Sequence, residues 1–183
     1  MLTGEPAVGK STAISRILFE LRTAGFAPGG VLTREIRSHG EREGFQLVDI
    51  SSDESEVLAE VKGITGPRIG KYRVNLKALS TLGVIALQHA TLESDIIAVD
   101  EVGPMELLSP EFRRAIQAAV LGVKKPAVCA VHKRFQDPLI EKLRNSKEST
   151  ENEITFENRD NIPLETTKDI IQYLRSTDTS DGN

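Results

Sequence analysis

The chain has no tryptophan, and aromatic residues of all kinds make up only 4% of it, so platforms for stacking nucleic-acid bases are scarce. Positive charge is also in deficit. Its 23 lysines and arginines face 27 aspartates and glutamates, a net charge of -4 that gives no general attraction to a polyanion. One cysteine, Cys129, excludes an internal disulfide; lying in the run Ala127-Val128-Cys129-Ala130-Val131, it reads as a small buried residue of a cytoplasmic protein. No stretch approaches the roughly 18 consecutive apolar residues that cross a bilayer, and the N-terminus lacks the basic region and apolar core of a secretory signal. The three histidines are scattered, so no resident metal cluster is expected. Nothing here implies a nucleic-acid, membrane or protein partner.

What is present suits an ordinary globular protein. At 183 residues, with 39% hydrophobic and 27% charged, the chain is long enough to bury roughly two-thirds of the surface its unfolded form exposes. A single domain over residues 1–175 is expected, followed by a disordered tail over 176–183.

Periodicity divides the chain into alternating elements. Ile14, Ile17, Leu18 and Leu21 recur at helical spacing over 11–24, ahead of Gly25. Residues 30–36 and 44–50 read as two strands pairing in a hairpin. Residues 51–70, polar and glycine-containing, read as a loop with a short strand or turn near 57–61. A short strand at 72–74 and a helix over 76–90 precede the nearly continuous apolar run 95–100, the mark of a strand buried on both faces. A helix over 110–121, a buried strand over 127–131, a helix over 138–145, a strand near 153–156 and a helix over 164–175 complete the series. The alternation predicts an α/β sandwich with a mainly parallel sheet and an added antiparallel hairpin.

Two segments carry chemistry. Gly4-Glu5-Pro6-Ala7-Val8-Gly9-Lys10-Ser11 fits G-x-x-x-x-G-K-[ST], the P-loop or Walker A pattern. Its glycines let the backbone wrap phosphate oxygens, so that successive N–H groups and a helix N-terminus point at them. Lys10 adds a mobile positive charge, and the Ser11 hydroxyl is placed to coordinate Mg²⁺ bridging the terminal phosphates. Only Met1, Leu2 and Thr3 precede this loop, whereas its anchoring strand usually has about five residues. Either the true start lies further upstream, the reading we favour, or this first strand is short and weak.

The second segment is Ile96-Ile97-Ala98-Val99-Asp100-Glu101, an apolar strand ending in two carboxylates, as in a Walker B motif. Asp100 can hold the metal through its water shell, while Glu101 can reach the attacking water as general base. Arg34, Arg37, Arg68, Arg134 and Arg159 are candidates for stabilising charge on the transferred phosphoryl group, with no spacing rule to choose among them. His132 follows a buried strand at the edge where open α/β sheets bind ligands, and it reads equally as a γ-phosphate sensor or as a histidine bonded to a nearby loop. His39 and His89 read as structural or exposed.

Taken with Val31-Leu32-Thr33-Arg34-Glu35-Ile36-Arg37, Gly44-Phe45, Gly70-Lys71-Tyr72-Arg73-Val74, Asp100-Glu101-Val102-Gly103-Pro104-Met105-Glu106-Leu107 and Glu157-Asn158-Arg159, these segments resemble one family. It is that of the small nucleoside-triphosphatases of thermophilic archaea and bacteria, which includes the human cancer-related nucleoside-triphosphatase. The resemblance implies a RecA-like three-layer core and Mg²⁺-dependent hydrolysis of ATP, GTP, CTP and UTP to diphosphate and phosphate with low base specificity. It also implies nucleotide contacts along Gly4 to Ser11 and along Ile96, Ile97, Ala98, Val99, Asp100, Glu101, Val102 and Gly103, with Asn158 and Arg159 near the base. Ala7 departs from the family's usual glycine. The competing reading is a kinase passing the γ-phosphoryl group to a nucleoside or nucleotide; no arginine-rich lid segment supports it. A guanine-specific switch would show N-K-x-D, which the sequence lacks.

Overall fold

The computed structural model describes residues 1–178. A two-residue strand, β1 (Leu2–Thr3), leads through the glycine-rich loop into α1 (Lys10–Thr23). Strands β2 (Pro28–Ser38), β3 (Glu41–Asp49), β4 (Ser55–Glu60), β5 (Arg68–Ile69) and β6 (Tyr72–Val74) follow. The chain then forms α2 (Leu76–Ala78), a π turn (Leu79–Gly83), α3 (Val84–Glu93) and β7 (Ile96–Val102). After a 3₁₀ turn (Glu106–Leu108) come α4 (Pro110–Leu121), β8 (Ala127–Val131), α5 (Pro138–Arg144), β9 (Asn152–Glu153) and α6 (Ile162–Asp178).

Among the described residues nine strands join one sheet in the order β5-β6-β4-β3-β2-β7-β8-β1-β9. From β2 through β7, β8 and β1 to β9 the pairing is parallel; from β2 outward through β3, β4, β6 and β5 it is antiparallel. The antiparallel part is therefore a wing of four strands added to β2, larger than the expected hairpin. Residues 51–70, expected to be mainly loop, supply two of them. The first, β4, meets the short strand or turn read near 57–61, whereas β5, two residues long, left no pattern.

Alternation along β7 shows how the layers arise. Ile97 and Val99 face one core, with Leu87 of α3, Phe112 and Ile116 of α4, and Leu139 of α5; Ile96 and Ala98 face the other, with Ile14, Ile17 and Leu21 of α1 and Ile170 of α6. Helices thus cover both faces of the parallel half, the three-layer P-loop architecture. Capping sets where two of these helices begin: the Ser109 hydroxyl accepts from Phe112 N–H at 3.2 Å and the Asp137 carboxylate from Leu139 N–H at 2.8 Å, each followed by proline at the first helical position. The helix expected over 76–90 runs to Glu93 and carries the π turn, which ends at Gly83. A Cβ on that glycine would stand 2.7 Å from the Phe112 ring, so the bulge seats an aromatic of α4 against bare backbone.

The last helix starts two residues earlier than expected and runs three further, through Asp178; the remainder of the expected tail, 179–183, lies outside the described residues. Among the described residues no helix is long and apolar enough to cross a membrane.

Candidate active site

Both chemical segments emerge at the carboxyl edge of the parallel strands, the loop after β1 and the acidic pair at the end of β7, with β8 between them. Gly9 caps α1 in a left-handed conformation, φ 113°, with no side-chain cap, so the N–H groups of the first turn are left open to an anion. Gly4 closes the other end of the loop. At its φ of 153°, a Cβ would stand 2.6 Å from the Ile154 carbonyl oxygen, so only glycine fits there. Ala7 takes φ 62° and accepts the left-handed strain that glycine would avoid, on the order of 1 kcal/mol.

Lys10 folds back over this loop. Its ammonium donates to the carbonyls of Gly4 at 3.2 Å and Glu5 at 3.4 Å and lies 3.8 Å from Glu101 Oε2. The Lys10 side chain is 9% exposed and that of Glu101 27%, so the lysine is nearly enclosed while the acid reaches solvent. Asp100 is buried, and both of its carboxylate oxygens lack a hydrogen-bond partner. Burial pushes its carboxyl up to about 7; the Ser11 hydroxyl opposes this, facing the carboxyl without completing an aligned hydrogen bond, while Glu101 adds to the rise and Lys10 counters it. The Thr33 hydroxyl of β2 donates to the Asp100 carbonyl at 2.6 Å and pins the end of β7.

Of the expected contact segment, Ile96, Ile97, Ala98, Val99 and Val102 have no accessible surface and form the floor rather than the contact; Asp100 and Glu101 stand at its upper end. His132 accepts the Phe135 N–H at its Nδ1, at 3.1 Å, the loop bond that one of its two readings expects. Arg34 pairs with Asp53 and Arg37 with Glu35 on the wing, and Arg68 lies in β5 at the wing's outer edge. Arg134 and Arg159 instead flank the loop. Arg134 bonds the Glu5 carboxylate at 2.9 and 3.0 Å, and Lys133 joins it at 3.4 Å. Arg159 places its Cδ 3.9 Å from where a Gly9 Cβ would be, with its guanidinium 5.3 Å from the Phe156 ring centroid. Asn158 is committed to its own turn, accepting from Thr155 N–H and donating to the Glu153 carbonyl, both at 2.8 Å.

Two residues of this region were not singled out by their sequence pattern. Phe156, 68% exposed, lies just past β9 where a longer strand was expected. Glu106 is buried, and its only trace in the sequence is one acid between Val102 and Leu108 in a mostly apolar stretch. A cavity of about 590 Å³ lies at the other end of the sheet, lined by Met1, Ala127, Cys129, Asn152 and Tyr173. The glycine-rich loop lies apart from this cavity, at the carboxyl edge of the parallel strands.

This combination of loop, lysine and strand-end acids is the frame on which relatives can be compared. The sequence profile of the NTPase family matches residues 1–167. The chain belongs to that family. It is 38% identical over 174 residues to nucleoside-triphosphatase THEP1 of Methanosarcina acetivorans, spanning 94% of this chain and 97% of that one. With THEP1 of Methanothermobacter thermautotrophicus it shares 45% identity over 134 residues, 73% of this chain and 76% of the relative. Among solved structures, THEP1 from Aquifex aeolicus superposes with a TM-score of 0.80 at 28% identity, covering 90% of this chain and 94% of the other. The solution structure of a human cancer-related nucleoside triphosphatase gives 0.76 at 30% identity, covering 96% of each. The NTPase family is one of hydrolases, and this member carries its nucleotide-binding P-loop fold.

Proposed function

We propose that this NTPase-family member is a cytoplasmic enzyme that hydrolyses the β–γ bond of nucleoside triphosphates bound with Mg²⁺, accepting ATP, GTP, CTP and UTP and releasing diphosphate and phosphate. The observation that carries the proposal is the buried Asp100 carboxyl, its oxygens unpartnered, facing the Ser11 hydroxyl beside an uncapped helix N-terminus. An all-oxygen donor set suits a hard cation that keeps part of its water shell, so Ser11 and Asp100 fit Mg²⁺. Held by Ser11 and Asp100, the ion would supply positive charge that offsets the charge developing on the phosphates.

The remaining roles follow from reach. Lys10 exchanges its backbone carbonyl partners for phosphate oxygens, and the N–H groups of Ala7, Gly9, Lys10 and Ser11 bind the rest. Glu101, partly exposed beside Lys10, orients a water for in-line attack on the γ-phosphorus and takes its proton as the bond to the β-phosphate oxygen breaks. The diphosphate departs with that bridging oxygen. Phe156 and Arg159 offer a flat face next to Gly9, and stacking accepts any base. Since the Asn158 amide is already occupied in its own turn, no reader of base edges is set there, which supports broad tolerance. One exposed ring suffices in a chain otherwise poor in aromatics.

The test is phosphate release from ATP, GTP, CTP and UTP with Mg²⁺ and no acceptor, for wild type, Glu101→Gln and Lys10→Ala. All four should turn over within about tenfold of one another, and each variant should lose at least about 100-fold. Turnover that appears only when a nucleoside or nucleotide is added would overturn hydrolysis in favour of phosphoryl transfer.

A further inference from the structure

Two of the buried acids among the described residues, Asp137 and Asp49, are held by hydrogen bonds, while Asp100 is not. Asp137 holds Arg113 through two bonds, at 2.6 and 2.7 Å, and Asp49 accepts the Ser51 N–H at 2.8 Å. Glu106 is as deeply buried as either, yet no ion pair reaches it among the described residues. It stands beside the active site because the chain turns sharply after β7. Leu107 N–H donates to the Gly103 carbonyl at 3.1 Å, which folds the 3₁₀ turn back beneath Gly103. A Cβ on Gly103 would lie 2.8 Å from Glu101 Oε1 and 3.1 Å from Glu106 Oε2, so the two carboxyl groups meet over the same bare Cα.

We propose that Glu106 is a positioning residue for Glu101, packed under Gly103 so that its carboxyl sets where the Glu101 carboxylate stands. This rests on the hydrolytic reading above, in which Glu101 works on the water. Burial, then the charge of Glu101, then that of Asp100 push the Glu106 carboxyl up to about 8, while the N–H groups of Glu106 itself and Gly103 hold it back. The groups facing it offer no cation in compensation. From β7 come Asp100 and Glu101; the α1 cation, Lys10, is turned to Glu101 and the loop carbonyls, and the α4 cation, Arg113, is committed to Asp137.

Neutral Glu106 therefore fills the space beneath Gly103 without repelling the base, and it carries an O–H that a carboxylate accepts. Once ionised it becomes a second negative charge against Glu101. Glu101 has solvent on its other side and swings away from the water it should orient. The expected signature is a fall in kcat on the alkaline side, centred near pH 8, with KM little changed.

The experiment measures kcat and KM for Mg²⁺-ATP from about pH 6 to about pH 10 in wild type, Glu106→Gln and Glu106→Met. Wild-type kcat should drop at least about threefold between pH 7 and pH 9. Both variants should lose that drop. Gln, which keeps a donor, should hold kcat at pH 7 within about threefold of wild type, and Met should fall below Gln. Either variant alone decides if the other fails to fold. A variant that keeps the wild-type alkaline fall, or a wild type flat through pH 9, overturns the proposal; so does a lowered Tm with an unchanged pH profile, the mark of packing alone. Glu101→Gln run in parallel separates the two readings. If it stays active, hydrolysis through Glu101 is wrong; if it is dead while the Glu106 variants titrate like wild type, only the positioning role is lost.

Discussion

The Lys10 ammonium, 3.8 Å from Glu101 Oε2, is bonded at the same time to the carbonyls of the loop it serves. Lys10 and Glu101 thus hold each other, and under the proposed function a bound triphosphate would have to draw Lys10 away. Glu101→Gln removes both that competition and a negative charge near the phosphates. Its expected phenotype is split: ATP binding tighter by about two- to tenfold in titration calorimetry, with turnover lost. Weaker binding in this variant would mean that Glu101 serves the nucleotide, not the water.

Ala7 carries avoidable strain. At φ 62° an alanine sits about 1–2 kcal/mol above its preferred conformations, while a glycine there gives back about 0.5–1 kcal/mol through its freer unfolded chain. Ala7→Gly should raise stability by about 0.5–1 kcal/mol, a Tm increase of about 1–4 °C by calorimetry.

Glu5 lies within the phosphate cradle yet bonds Arg134 and Lys133. These side chains are largely exposed, so Glu5→Gln should leave Tm nearly unchanged. Its effect should fall on binding. With the carboxylate neutralised and Arg134 released, while Lys133 stays with Glu153 at 2.6 Å, KM for ATP should drop about two- to fivefold at low salt, and the difference should shrink as ionic strength rises.

Glu106 also predicts a pH dependence of stability. In the unfolded chain it ionises near its ordinary 4.5, and in the folded protein near 8. Between those values the folded state holds a proton that the unfolded chain releases, so the stabilisation is full below about 4.5 and is lost as pH rises to about 8. Glu106→Gln lacks this term. The Tm of Glu106→Gln minus that of wild type should grow from about pH 5 to about pH 8 and then level off.

Much of this was legible in the sequence because it depends on close approach at fixed spacing. Gly4 and Gly9 stand where a side chain would collide or a left-handed backbone is required, and such positions leave a mark that reads without any structure. Ile96 to Val99 are apolar without interruption because helices cover both faces of β7, which also made the Asp100 and Glu101 terminus readable. In the wing β6 was readable at 72–74 and β4 only as a strand or turn, while β5, two residues long, was not. Glu106 left almost no mark. Its character comes from the turn at Gly103 and from the cations that are occupied elsewhere, and neither is a property of neighbouring residues in the chain. The pairing of Arg159 with Phe156 belongs to the same class: a surface juxtaposition after β9 with no periodicity to announce it.

The strand that carries the phosphate loop is only Leu2–Thr3, held to β8 at Leu2 and to β9 at both residues, with the Met1 amino group bonded to the Thr150 carbonyl. Its far side is therefore a second edge whose grip depends on the Ile154 N–H bond to the Thr3 carbonyl, at 2.7 Å, and on the close fit of Gly4 against Ile154. A triphosphate that orders the loop pulls on this seam as well as on α1. Nucleotide should consequently slow amide exchange at residues 152–154, which no phosphate touches, so that the outermost strand of the sheet reports on occupancy of the cradle.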